Sequence, residues 1–599
     1  MSGLRTPPRP TRRAPTRVRG SRPARRFRPG SPTLRIRIVL VAVLAVLSVV
    51  VVRVVELQVI QGPALAAAAE ADRSRMVELP AVRGAITDRN GVALATTVQA
   101  RNVTADQTMV TDASAAGTEL AAVLGGDAAG YTERLQGTRR FVYVAKNVTP
   151  QTWKSVQALQ IPGIFSEPTT TRVYPAGDVA ANVVGFVGAE GTGLGGMEYG
   201  LNTELAGTAG SREYQRSARG QEIPTAGESG TDPVPGLGVQ LTIDRDIQWM
   251  AQRKIAAKVR AAGADWGQVT VMDPATGQVL ALATAPTFDP NRPTDTAQAD
   301  RGNRALSDAY EPGSTSKVMT MAAVIDQGAA GPGTKFVVPS TLQRSDHLFH
   351  DSEPHPVEQL TLAGILAKSS NIGTIKAADR IGGKTLYSYL KKFGVGEPSG
   401  LRFPGENAGS VPAPAQWSGT TFPNLAYGQG LSVNSVQAAS IYATIANDGV
   451  RVAPSLVKGF VRPDGSMQDA AAPAASRVVS AATAATVRRM LEGVVSDQGT
   501  APQAAIAGYR VAGKTGTAQR VDPTCGCYRG YVSSFIGMVP ANAPRLVVAV
   551  SLSNPKHGKY GSVLAAPVFK AVTTFALQQL RIAPTGTKAP HLKTTWSRR

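Results

Sequence analysis

At 599 residues the chain exceeds what one hydrophobic core organises, so two or three folded units are expected. Apolar residues at 43% and charged residues at 18% exclude a wholly disordered chain. The formal charge of +22 is concentrated in one place: residues 1–37 hold twelve arginines and no acid, and this proline-rich tail cannot bury enough apolar surface to fold.

The tail runs into the apolar stretch Ile38 to Val52, which Arg53 interrupts and Val54-Val55 resume. With Arg37 and Arg53 reaching to the two interfaces, residues 38–57 are long enough to cross the hydrocarbon layer. A cleavable signal is the alternative, but the nearest cluster of small residues, Ala66 to Ala69, lies beyond Arg53, Glu56 and Gln58. An uncleaved plasma-membrane anchor would keep the arginine tail cytoplasmic and place everything after it outside. The tail has no aromatic residue except Phe27 and adjoins an apolar span, so topology explains its charge better than nucleic-acid binding does.

Residues 58–235 read as an exported pedestal. Gly62 to Ala71 has helix-forming composition, and Asp88-Arg89-Asn90-Gly91 supplies a hairpin turn between the runs that flank it. The glycine run Gly191 to Gly196 lacks the strand, helix and acidic partner of a dinucleotide site and reads as a loop.

A second unit is expected over 236–577. Val239 to Asp244 reads as a strand with a stop, Arg245 to Ala262 as a helix, and Trp266 to Met272 with Gln278 to Ala283 as a hairpin. Ser533 to Val539 and Leu546 to Leu552 form a further strand pair, with helical segments between the two groups. The order predicts an α+β unit whose antiparallel sheet is assembled from both ends of the segment, with helices packed on it. Residues 578–599 form a basic C-terminal tail.

The candidate chemistry lies in Tyr310-Glu311-Pro312-Gly313-Ser314-Thr315-Ser316-Lys317. Positions three apart share a helix face, so Ser314 and Lys317 are neighbours while Thr315 and Ser316 point elsewhere. A buried lysine amine can act as base for a serine nucleophile, and a helix start offers N–H groups to an oxyanion. Three other Ser-x-x-Lys patterns, starting at Ser388, Ser455 and Ser553, sit mid-helix, in a strand-like run and before Asn554-Pro555, where this geometry fails. By itself the pattern reads more readily as a helix cap beside an exposed lysine.

Two later motifs change that balance. Ser369-Ser370-Asn371 supplies Ser-x-Asn, and Lys514-Thr515-Gly516 supplies Lys-Thr-Gly on a predicted strand. With Ser-x-x-Lys, in this order, they are the signature of penicillin-recognising serine acyltransferases. Arg83-Gly84-x-Ile86-x-Asp88-Arg89-x-Gly91, Arg172-x-Tyr174-Pro175, Gly185-Phe186-Val187-Gly188, Leu241-Thr242-Ile243-Asp244 and Tyr427-Gly428-Gln429-Gly430 accompany them. The chain thus resembles the class B penicillin-binding proteins, monofunctional D,D-transpeptidases, most like the septal cell-division type.

The resemblance implies that Ser314 attacks the penultimate D-alanine carbonyl of a stem peptide with Lys317 as base. Ser369 would relay the proton to the leaving D-alanine and Asn371 would bind the donor amide. Lys514 and Thr515, with Gly516 and Thr517 beside them, would hold the donor carboxylate, and the N–H groups of Ser314 and Thr517 would form the oxyanion hole. Implied partners are peptidoglycan stem peptides, the lipid-linked precursor polymer, β-lactam antibiotics, a membrane glycosyltransferase and other wall-synthesis proteins. Lateral-wall synthesis, a D,D-carboxypeptidase or β-lactamase of the same fold, and a non-catalytic penicillin sensor are the alternatives.

Four features depart from the pattern or stand outside it. Ser316 occupies a position where the family often has a bulky residue, and Asn434-Ser435-Val436-Gln437 replaces Thr-Pro-x-Gln. Cys525 and Cys527 are expected as two small side chains in a loop, a labile redox pair being the alternative. His347, His350, Asp351 and His355 are too poorly spaced for a closed zinc shell and are expected at the cleft rim, so no metal or cofactor is anticipated.

Overall fold

The computed structural model describes residues 32–215, 229–522 and 524–597. Most of the arginine tail therefore lies outside the described residues. Two compact units are distinguished, residues 1–77 with 212–230, and residues 78–211 with 231–599.

Within the first unit, the helix Pro32–Val55 continues through a π-helical turn, Glu56–Ile60, and a second helix, Gly62–Arg73. The 29 residues Pro32–Ile60 are long and apolar enough to cross a membrane, at about 1.5 Å of rise per residue against a hydrocarbon layer of about 30 Å. Arg53 pairs with Glu56 at 2.6 Å, one turn along the same helix.

The second unit contains two hydrophobic cores. The smaller gathers Val103, Leu120, Leu135, Val144 and Val156. There the long strand Ala93–Ala105 pairs antiparallel with Val142–Val148 on one side and Ile164–Val173 on the other. The predicted hairpin is present, since Ile86–Thr87 pairs antiparallel with the start of that long strand. Asp88 closes the turn by accepting from the N–H groups of Asn90 and Val92, both at 2.8 Å.

The larger core lies around a five-stranded antiparallel sheet in the order Val279–Ala285, Trp266–Met272, Leu546–Ser553, Cys527–Val539, Ala512–Asp522. Two strands come from the start of the segment and three from its end, as the sequence order predicts. Every residue of three of these strands is buried, because helices cover both faces: Arg245–Ala262 and Ala566–Gln579 contribute Ile247, Ile255, Phe569 and Val572, while Ser435–Ala446 is buried along its whole length.

Asp244 caps the Arg245–Ala262 helix by accepting from the N–H groups of Asp246 and Ile247. The departure at Asn434 has the same purpose: Asn434 and Gln437 each accept the other's backbone N–H at 2.8 Å, a complete capping box.

The pedestal motifs meet at a residue that no motif singled out. Glu198 is fully buried and accepts from Arg83 Nε at 2.6 Å and Arg172 Nε at 2.7 Å. Tyr174 donates its hydroxyl to the same carboxylate at 3.4 Å and accepts from Val187 N–H at 3.0 Å. The glycine run wraps this ion pair, since a Cβ on Gly193 would stand 1.9 Å from the Glu198 carbonyl oxygen.

The C-terminal segment is tied back onto the sheet unit. Thr361 N–H donates to Thr594 O at 3.0 Å, and Trp596 donates from its backbone to Gln359 O and from its indole to Phe336 O. Gly364 is required there, because a Cβ would lie 1.8 Å from Thr594 O.

Candidate active site

Ser314 lies on a 3₁₀ turn, Gly313–Ser316, that runs straight into the α-helix Lys317–Asp326. This refines the expected single helix, and the three-residue spacing of Ser314 and Lys317 is retained. The turn distinguishes the three hydroxyls. Thr315 Oγ1 donates to Pro312 O and Ser316 Oγ to Gly313 O, both at 2.8 Å. Ser314, half-buried, makes no hydrogen bond through its hydroxyl among the described residues. Thr315 and Ser316 are therefore committed to holding the turn, and Ser314 is left free.

Two neighbours fix the turn from outside. Gly313 adopts φ +54° and donates its N–H to Gly428 O at 3.0 Å. Ser316 is 2% exposed and packs against Gly428, where an added Cβ would come within 2.0 Å of its Oγ. A small residue before Lys317 thus faces the Tyr427–Gly430 loop rather than the cleft. Tyr442 donates its hydroxyl to Thr315 O from the other side at 2.8 Å.

Lys317 is fully buried, yet its ammonium has defined acceptors: Ser369 O at 2.5 Å, Asn371 Oδ1 at 2.7 Å and Ser369 Oγ at 3.3 Å. Burial pulls its pKa down to about 7, against the opposing charge of Asp351. The Ser369–Asn371 motif sits between two helices. Ser369 takes a left-handed conformation, φ +64°, after Leu362–Lys368, and Ser370 caps Asn371–Ala378 by accepting from Gly373 N–H at 2.8 Å.

Lys514, Thr515 and Gly516 lie on a strand, as predicted, and it is the edge strand of the five-stranded sheet. Lys514 is fully buried and donates to Thr515 Oγ1 at 3.1 Å and Thr515 O at 3.2 Å. Burial, reinforced by the nearby charge of Lys317, holds it well below the ordinary lysine value. A Cβ on Gly516 would stand 3.0 Å from Pro312 O, so the glycine lets this strand approach the Ser314 turn. Thr517 Oγ1 accepts from Gly561 N–H at 3.4 Å, and Thr515 Oγ1 is 3.1 Å from Thr500 Oγ1.

Two expectations about the surroundings are revised or sharpened, and one residue is added. Cys525 and Cys527 are disulfide-bonded, which corrects the reading of two separate small side chains. The intervening Gly526 takes φ +62° and brings their Cα atoms to 5.2 Å, inside the range a disulfide spans. Asp351, grouped in the sequence with three histidines, lies against the Ser369–Asn371 turn, with His355 Nε2 at 3.0 Å from its Oδ2. Glu311, unnoticed beside Ser314, accepts from Gly430 N–H at 3.1 Å and Tyr528 OH at 2.9 Å. Its place in the opening motif was the available signal, but its partners are over a hundred residues away.

Residues 78–241 match the penicillin-binding protein dimerisation domain and residues 267–574 the penicillin-binding protein transpeptidase domain. The chain is 38% identical to penicillin-binding protein PbpB of Mycolicibacterium smegmatis over 96% of this chain and 94% of the relative. It is 31% identical to peptidoglycan D,D-transpeptidase FtsI of Escherichia coli over 88% and 89%. The crystal structure of penicillin-binding protein 3 from Mycobacterium tuberculosis complexed with aztreonam covers 87% of this chain and 100% of its own, with TM-score 0.69 and 35% identity.

Proposed function

The chain belongs to the class B penicillin-binding proteins, and from that premise we propose that it is a serine D,D-transpeptidase of the septal type that cross-links peptidoglycan and is acylated by β-lactams. One observation carries the assignment of the chemistry to this site: a buried lysine with pKa pulled down to about 7 lies one turn after the free Ser314 hydroxyl, with its ammonium on Ser369 and Asn371.

In this reading Ser314 Oγ attacks the carbonyl of the penultimate D-alanine and passes its proton to Lys317 Nζ. The bond to the terminal D-alanine breaks, and its amine leaves with a proton delivered through Ser369 Oγ. An amine from a second stem peptide then attacks the acyl-enzyme, forming the cross-link and returning the hydroxyl proton to Ser314. Backbone N–H groups of Ser314 and Thr517 receive the oxyanion in both halves. Asn371 binds the donor amide, while Lys514, Thr515 and the approach of Gly516 form the seat for its carboxylate. The donor peptide lies along the free edge of the Ala512–Asp522 strand, which pairs on one side only within its sheet.

The apolar helix Pro32–Ile60 supports a single-pass anchor, with the arginine tail cytoplasmic and the catalytic unit outside. A membrane glycosyltransferase supplying the polymer is the partner this placement calls for. Labelling with a fluorescent penicillin tests the nucleophile: Ser314→Ala should abolish it, and persistent labelling would overturn the assignment. Incubation with stem-peptide substrate should yield cross-linked dimers, whereas shortened monomers alone would indicate a carboxypeptidase. A fluorescent fusion should concentrate at the division site, and a uniform lateral distribution would remove the septal role.

A further inference from the structure

Behind the Ser369–Asn371 turn stands a carboxylate with no part in the scheme above. Asp351 is 8% exposed and directly follows the strand His347–His350. Its Oδ1 accepts from the N–H groups of Asn371 and Ile372, and its Oδ2 from the Ser370 hydroxyl at 2.7 Å. Ser370 Oγ already accepts from Gly373 N–H, which directs its proton to Asp351. Three donors converging on one carboxyl group is the pattern of an ionised carboxylate.

The other side of Asp351 is occupied by His355. Its Nε2 lies 3.0 Å from Asp351 Oδ2 and its Nδ1 2.6 Å from Pro356 O. A carbonyl and a carboxylate only accept, so the arrangement suits a ring that donates from both nitrogens, the imidazolium form. Burial works against the charged ring, but the Pro356 and Asp351 hydrogen bonds and the Asp351 charge outweigh it and raise its pKa.

We propose that Asp351 and His355 are a positioning pair for acylation. The carboxylate clamps Ser370 and the first turn of Asn371–Ala378, so that Ser369 O and Asn371 Oδ1 stand where the Lys317 ammonium needs them. The imidazolium offsets enough of the carboxylate field for Lys317 to give up its proton near neutral pH. This inference rests on Lys317 being the base of the reaction.

Charged and titratable groups face the pair from three sides. Lys317 lies beyond the Ser369–Asn371 turn, with Lys514 bearing on it in turn. Glu358 acts on His355 from the strand Glu358–Thr361 and is itself bonded to Lys368 at 2.5 Å. His350 holds its Nδ1 2.8 Å from Asp351 O.

The test is the pH dependence of the acylation rate with a fluorescent penicillin, in the full-length protein. His355→Gln keeps an N–H for Asp351 but removes the positive charge, so Lys317 should hold its proton to higher pH and the acidic limb should move up. Asp351→Asn still accepts the two backbone N–H groups but removes the negative charge, so the limb should move down. Opposite shifts support the pair, since a merely structural role lowers the rate without moving the limb. A limb that is present in the parent but unmoved in His355→Gln, or moved the same way in both variants, overturns the proposal alone. A parent with no limb near neutral overturns the reading of Lys317 as base, and the proposal with it. Thermal melting establishes that each variant is folded; if Asp351→Asn is not, the loop variant His355→Gln decides by itself.

Discussion

Lys317 is the residue whose environment makes the sharpest quantitative demand. At pH 7 an amine with a pKa of about 7 is free in roughly half of the molecules, whereas at the ordinary value of 10.5 it is free in about one in 3,000. Burial therefore raises the population of competent base by about a thousandfold. Stopped-flow acylation by a fluorescent penicillin should accelerate about tenfold per pH unit below neutrality and level off above it. Lys317→Met should lose about 10²–10⁴-fold in rate at the plateau.

The same perturbation has a thermodynamic signature. The folded value lies below the unfolded one, so between about pH 7 and pH 10.5 the unfolded chain binds the extra proton and stability rises with pH. Below that window the full cost of burying the charge is present, and above it the cost is gone. The Tm of Lys317→Met relative to the parent should therefore be more favourable at about pH 6.5 than at about pH 10. A flat rate profile, or a Tm difference that does not change across the window, would refute the assignment of a depressed lysine.

Other outcomes follow from the packing. Glu198→Gln leaves Arg83 and Arg172 buried without their anion, and the fold should lose about 3–5 kcal/mol in a denaturant melt; an unchanged midpoint would mean the pair is not what joins the pedestal motifs. Gly428→Ala places a Cβ 2.0 Å from Ser316 Oγ and 2.1 Å from Gly313 O, at φ +95°. Penicillin acylation should fall about tenfold or more, whereas Gly331→Ala, whose Cβ meets nothing within 4 Å, should label like the parent. Reduction of the Cys525–Cys527 bond should slow acylation by releasing Tyr528 from Glu311, with little effect on Tm because the closed loop is tiny. Tyr528→Phe should reproduce that slowing, and an acylation rate indifferent to both would dispose of the link.

What could be read directly from the chain was local in character. Hairpin turns such as Asp88 to Gly91, the strand stop at Asp244 ahead of the Arg245–Ala262 helix, and the three-residue spacing of Ser314 and Lys317 follow from chain-neighbour geometry. So does the sheet built from both ends of its segment, because largely apolar strands clustered at the two ends leave few arrangements that bury them together. The order of the three site motifs carried the family resemblance, and the structure brings two of them together through Lys317 on Ser369 and Asn371.

Tertiary structure decided what depends on partners distant in sequence. Glu198 looks like any acid until Arg83, 115 residues earlier, is placed against it. The depression of Lys317 comes from packing that removes water, which no spacing rule conveys. Asp351 is expected from the sequence only at the cleft rim, because its partners, the N–H groups of a helix start twenty residues on, are backbone atoms invisible to composition. Ser316, an odd substitution in one dimension, proved to be a contact with Gly428, over a hundred residues away, because only the folded chain sets which small side chain must yield to which backbone.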